Sequence, residues 1–258
     1  MADELQLQFP AATAKECERF WKSFGSDAGR LLGEYLEFKT NAERQLASSD
    51  GKDPLWVQCM KAALVDHPIE AEPIPVESSS IFDPILFVPT TPEGKLVRCA
   101  EGKPILYVAP ARVNFDLYPP ALYTACILLF CYKSFQEEPF TVLVDVRAGR
   151  GWPNMPITRM YGWLRSCSGE LSNLFPNALY KCIVFTVPFV AKALWYVVQP
   201  LLSTKITESL VLVNGSGTSY TTPLPEDMYQ HVQREDLQPI EDKRRSWYVP
   251  TESRSADS

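Results

Sequence analysis

The chain has 258 residues, 46% of them apolar, which is enough core for one large domain or one domain with a small lobe, and rules out a wholly disordered chain, a collagen-like repeat or a disulfide miniprotein. Its 25 basic and 31 acidic side chains leave a net charge of −6, and the longest basic cluster, Lys243-Arg244-Arg245, lies in a polar tail, so no nucleic-acid partner is expected. Seven scattered cysteines, with no C-x-x-C and only His67 and His231 beside them, argue for reduced, buried thiols in a cytoplasmic protein, with no metal and no cofactor.

The first ten residues carry acids at Asp3 and Glu4 and no apolar run, so they do not read as a secretory signal. Thr13 and Glu16 stand at capping-box spacing; Cys17, Phe20, Trp21 and Phe24 follow at helical spacing, and Gly25 suits the stop. A second helix is expected after Ser26, with the stripe Ala28, Leu31, Leu32, Tyr35 and Leu36. A third is expected with Asp53 as N-cap and Pro54 in the first helical position, ending near Val65. These predict an N-terminal helical lobe over residues 1–70, and residues 66–80 read as a linker.

From about residue 81 short apolar runs alternate with long apolar helices. Strands are expected over 103–109, 140–146, 180–187 and 209–213, and helices over 119–135, 156–175 and 189–202. Such alternation predicts an α/β fold over residues 81–240, a mostly parallel sheet flanked by helices. A short helix is expected near 225–232, and residues 241–258 read as a disordered polar tail. Within that tail Lys243-Arg244-Arg245-Ser246 resembles a basic kinase site.

Nothing in the chain argues for an enzyme. No G-x-S-x-G occurs, and neither histidine stands in a motif with a nucleophile. Asp145, with Arg147 and Arg150 close by, reads as a salt bridge at the sheet edge rather than a phosphoryl-transfer site. The loop Asn214-Gly-Ser-Gly-Thr218 follows a strand but lacks both G-x-G-x-x-G and G-K-[ST], and reads as a plain turn.

Phe189 to Leu202 carries the most information. Lys192, Tyr196, Gln199 and the adjoining Ser203 form one narrow polar stripe on an otherwise apolar cylinder. Such a helix needs an apolar cover almost all round. Core packing, a lipid chain or a membrane would each supply it. The 20 residues from Ile183 to Leu202 are long enough to span a bilayer, but Pro188 and Pro200 break the run, and the part before Pro188 suits a strand.

Leu174-Phe-Pro-Asn-Ala-Leu-Tyr-Lys-Cys-Ile-Val-Phe-Thr-Val-Pro-Phe189, then Ala193-Leu-Trp195 and Gln199-Pro-Leu-Leu202, resembles the CRAL-TRIO lipid-binding family. Residues 103–112 resemble its opening strand, and residues 26–38 the last helix of its N-terminal lobe. The resemblance implies a sheet and helices enclosing an apolar cavity, closed by a gate helix at Phe189 to Leu202, that takes a phospholipid or other lipid. The lining it implies is Leu106, Tyr107, Val108, Leu143, Asp145, Val184, Thr186, Phe189, Leu194, Trp195, Val198, Leu201 and Leu202, with Tyr107, Asp145 and Thr186 orienting a headgroup. Phe189 and Trp195 would touch a membrane surface transiently during ligand exchange. The Glu and Lys of the phosphatidylinositol-transfer members correspond to Asn177 and Ser209 here, so those headgroup contacts are not implied. As the alternative, Arg147, Arg150 and Met155-Pro156 resemble the basic loop of BCH-type scaffold domains, which implies binding of small GTPases or regulatory partners.

Overall fold

The computed structural model describes residues 2–47, 51–69, 84–135, 138–149, 154–188, 199 and 207–246. The chain begins with four helices: α1 (Ala2–Gln8), α2 (Ala14–Phe24), α3 (Ala28–Ala47) and α4 (Leu55–Asp66). The α2 start is the expected capping box: Glu16 N donates to Thr13 Oγ1 at 3.2 Å, and Thr13 N to Glu16 Oε2 at 2.7 Å. Gly25 closes that helix at φ 52, a conformation glycine adopts without penalty. Pro54, not Asp53, occupies the α4 N-cap. The short α1 was not expected.

After the lobe come β1 (Leu86–Phe87), β2 (Ile105–Val108), α5 (Pro120–Ser134), β3 (Phe140–Asp145), α6 (Ile157–Leu174), β4 (Leu179–Val187) and β5 (Leu210–Asn214). The strands form a five-stranded sheet in the order β1-β2-β3-β4-β5, antiparallel only at the unexpected edge strand β1. β3 is therefore the central strand, and Asp145 ends it. This is a mixed α/β fold, a mostly parallel sheet flanked by helices, with the helical region packed on α5 and α6. α5 is buried from Leu122 to Tyr132 apart from Ala125, as its near-uniform apolar surface requires. It sits between sheet and lobe, in one core with Leu32, Met60, Leu106 and Phe140.

The opposite face of the sheet has its own core. Ile105, Tyr107, Leu143, Ile183, Phe185 and Val213 pack there against Met228, Val232, Leu237 and Ile240. The last two belong to α7 (Arg234–Ser246). The expectation of a disordered tail from residue 241 is thus corrected as far as Ser246. Leu237, Ile240, Glu241 and Arg244 recur at i, i+3, i+4 and i+7 and are all buried. The strand expected over 180–187 forms as β4, so the apolar run from Ile183 to Leu202 is not one continuous helix. Among the described residues no helix is long and apolar enough to cross a membrane.

Candidate functional site

Strand side chains alternate between faces, so register decides which ones can meet. On the α5–α6 face, Val108 pairs with Val144, Val144 with Val184, and Val184 with Leu212. One step back, Leu106 pairs with Val142, Val142 with Cys182, and Cys182 with Leu210. Two continuous apolar rows therefore cross four strands. All but Leu106 are only half-buried. β-Branched side chains stand stiffly from a strand and form a smooth, rotamer-poor surface. Neither row contains a charged group.

The other face holds the polar groups. Asp145 is 1% exposed; its carboxylate accepts from Tyr107 Oη (2.6 Å), Arg147 N (2.9 Å) and Arg147 Nη2 (2.7 Å), and forms an ion pair with Arg244, whose Nε lies 3.1 Å away. Arg147 also donates to Glu241 and, at 3.0 Å, to the Thr222 carbonyl. Its guanidinium lies 5.6 Å from the Phe185 ring centroid. Burial by itself favours a neutral Arg147, but the bonds to Asp145 and Glu241 outweigh it and hold the guanidinium charged. Burial, then the neighbouring Asp145 carboxylate, pushes the Tyr107 hydroxyl well above its ordinary range. Two carboxylates and two guanidiniums balance, and each is hydrogen-bonded, as buried charges require.

Thr186 lies beside this cluster with its Oγ1 3.5 Å from Asp145 Oδ1 and its backbone at φ 59, a strained conformation for a β-branched residue. The β4–β5 register shifts there, between Phe185 and Val187. The backbone after β5 presses against it: a Cβ on Gly215 would lie 2.6 Å from Thr186 Cα. The Gly215 N–H donates to the Val187 carbonyl at 3.0 Å, which extends the β4–β5 pairing past the shift.

The implied lining thus divides. Leu106, Val108 and Val184 lie on the half-open face. Tyr107, Leu143 and Asp145 point to the opposite, sealed face, and Thr186 is buried at the bulge. Consecutive strand residues cannot line one cavity, which corrects the assignment of Tyr107 and Asp145 to a headgroup. Phe189, Leu194, Trp195, Val198, Leu201 and Leu202 lie outside the described residues, as does Arg150. Arg147 is corrected too: it is inside the molecule, with its donors engaged, and offers a protein partner no surface charge. The salt bridge expected at Asp145 forms, but at the central strand rather than the sheet edge. Val142, Val144, Cys182, Leu210 and Leu212 complete the apolar rows and were missed; strand alternation combined with parallel register identifies them.

A groove of about 480 Å³ separates the lobe from the α/β domain, lined by Phe38, Gln45, His67, Thr124, Trp163 and Glu170 among others. It lies between helices rather than on the sheet.

A family model described as the CRAL/TRIO domain matches residues 98–239. No curated protein matches the chain. Among solved structures, one similar to this chain is the crystal structure of Sfh5, at 10% identity over 79% of this chain and 68% of that chain, with a TM-score of 0.49.

Proposed function

The chain belongs to the CRAL/TRIO domain family of lipid-binding proteins, and from that premise we propose that it holds a lipid by its acyl portion against the α5–α6 face of the sheet. One observation supports this above the others. The rows Val108–Val144–Val184–Leu212 and Val142–Cys182–Leu210 are half-buried, whereas the alternate residues Tyr107, Leu143, Ile183 and Phe185 are fully buried. A half-buried apolar floor is where a methylene chain gains most, about 0.8 kcal/mol for each CH₂ removed from water.

With no charged side chain in the rows, the affinity in this reading comes from the apolar portion of the ligand, and catalysis has no part in it. The cover is the segment 189–202, an assignment that rests on its sequence, since all of the segment but Gln199 lies outside the described residues. Phe189 and Trp195 would then meet a membrane surface while the ligand exchanges. Phospholipids are the first class to test. Asn177 and Ser209 argue against the inositol-lipid contacts of other members. Asn177 Nδ2 donates to Ser23 Oγ at 2.8 Å, which ties it to the lobe. The scaffold alternative has no structural observation in its favour, because Arg147, one of its two key residues, is buried.

The experiment is mass spectrometry of organic extracts from the full chain, purified and incubated with vesicles of mixed phospholipid composition. The expected result is a lipid retained in near-equimolar amount. Extracts without lipid contradict the proposal, and binding of a small GTPase by such a lipid-free chain favours the scaffold.

A further inference from the structure

The last turn of α7 joins two functions in four residues. Lys243, Arg244 and Arg245 form a basic run that ends at Ser246. Ser246 is exposed on the final residue of the helix, and its Oγ donates to the Lys243 carbonyl at 2.7 Å. Arg244 faces the opposite way. It is 2% exposed, its Nε is 3.1 Å from Asp145 Oδ2, and its Nη2 donates to the Tyr220 carbonyl at 2.9 Å. Lys243 and Arg245, by contrast, are exposed.

We propose that Ser246 is a phosphorylation site for a protein kinase that reads basic residues before its serine, and that the buried Asp145 cluster controls access to it. A kinase that recognises Arg244 and the Asp145 carboxylate compete for one guanidinium. Both cannot hold it, so modification requires the last turn of α7 to open. The rate then scales with the open fraction.

The chemistry is a single group transfer. Ser246 Oγ attacks the γ-phosphorus of a magnesium-bound nucleoside triphosphate held by the kinase. The new O–P bond forms as the bond to the bridging oxygen breaks. The nucleoside diphosphate leaves with the electron pair, and the hydroxyl proton passes to the kinase. The product adds close to two negative charges. They fall at a helix C-terminus, where the macrodipole disfavours them. They also stand two residues from Arg244, which gains an alternative to Asp145. The modification therefore holds open the state that admits it, releasing the end of α7 from the sheet.

The test uses a synthetic peptide of residues 240–250, the full chain, and Glu241→Gln and Ser246→Ala variants of the full chain. Each is incubated with a kinase that selects arginine two residues before serine, with magnesium and ATP, and phosphate at Ser246 is followed by peptide mass spectrometry. The peptide is expected to react about tenfold or more faster than the full chain, as a minor open state dictates. Glu241→Gln, which removes one carboxylate from the cluster, should move the full chain toward the peptide rate. In the phosphorylated full chain, amides of 240–246 should exchange with deuterium faster than in the unmodified one. Equal rates for peptide and full chain overturn the control by Asp145. A peptide that no such kinase modifies, or phosphate absent from the full chain and the Glu241→Gln variant alike, overturns the site. Unchanged exchange after phosphorylation overturns the release of α7. Should Glu241→Gln not fold, the rate and exchange comparisons on the wild-type chain still decide.

Discussion

Ile183 and Val184 are neighbours on β4, yet Ile183 is 0% exposed and Val184 is half-buried. The difference is carried by β3 and β4, where Leu143, Ile183 and Phe185 are buried and Val142, Val144, Cys182 and Val184 are half-buried; on the flanking strands Leu106 is buried and Val211 half-buried. One face is packed by Met228, Val232 and α7, around a charge cluster in which the carboxylates and guanidiniums are ion-paired with one another. The other carries apolar rows that the described residues only half cover. A strand whose two sides were built for the same purpose would be equally buried on both. Here one side supplies stability and the other supplies a surface, so substitutions a single residue apart should differ both in size and in kind.

The largest effect is expected at the sealed face. Arg147→Ala leaves Asp145 and Glu241 without their shared cation and should lower unfolding free energy by about 3–5 kcal/mol in urea titration followed by circular dichroism. A loss under 1 kcal/mol would mean the cluster does not anchor α7. Ile183→Ala comes next, at about 2–5 kcal/mol by the same titration. Gly215→Ala should cost about 1–3 kcal/mol, because its Cβ meets the Thr186 backbone and neither chain segment is a flexible side chain that can yield. Val184→Ala should cost least, about 1 kcal/mol. If Val184→Ala proves as damaging as Ile183→Ala, the two faces are not different and the comparison fails.

How much of this was legible in the sequence depended on how local the cause is. The α2 start was readable because Thr13 and Glu16 cap each other across three residues. The strand–helix alternation gave the parallel sheet, since each crossover announces itself as an apolar run followed by a longer one. The α7 helix was not readable as such. Its inward stripe is Leu237, Ile240, Glu241 and Arg244, and half of that stripe is charged. Glu241 and Arg244 face inward only because Arg147 and Asp145 await them, the first pair 94 positions apart in the chain. A hydropathy reading sees a polar tail where the fold uses a salt-bridged helix. The candidate site failed in a related way. Leu106, Tyr107 and Val108 were assigned together on the family resemblance, whereas the pleat separates Tyr107 from its neighbours. The two-residue β1 carried too little pattern to be seen.

The most direct measurement of the central claim places a charge on the floor. Full chain and its Val184→Asp variant, matched for helix and strand content by circular dichroism, are incubated with phosphatidylcholine vesicles, separated from them by flotation, and assayed for bound lipid. Near-equimolar lipid on the wild-type chain and its loss from the variant is the predicted result. Equal lipid on both chains, or none on the wild type, contradicts the assignment of this face as the ligand surface.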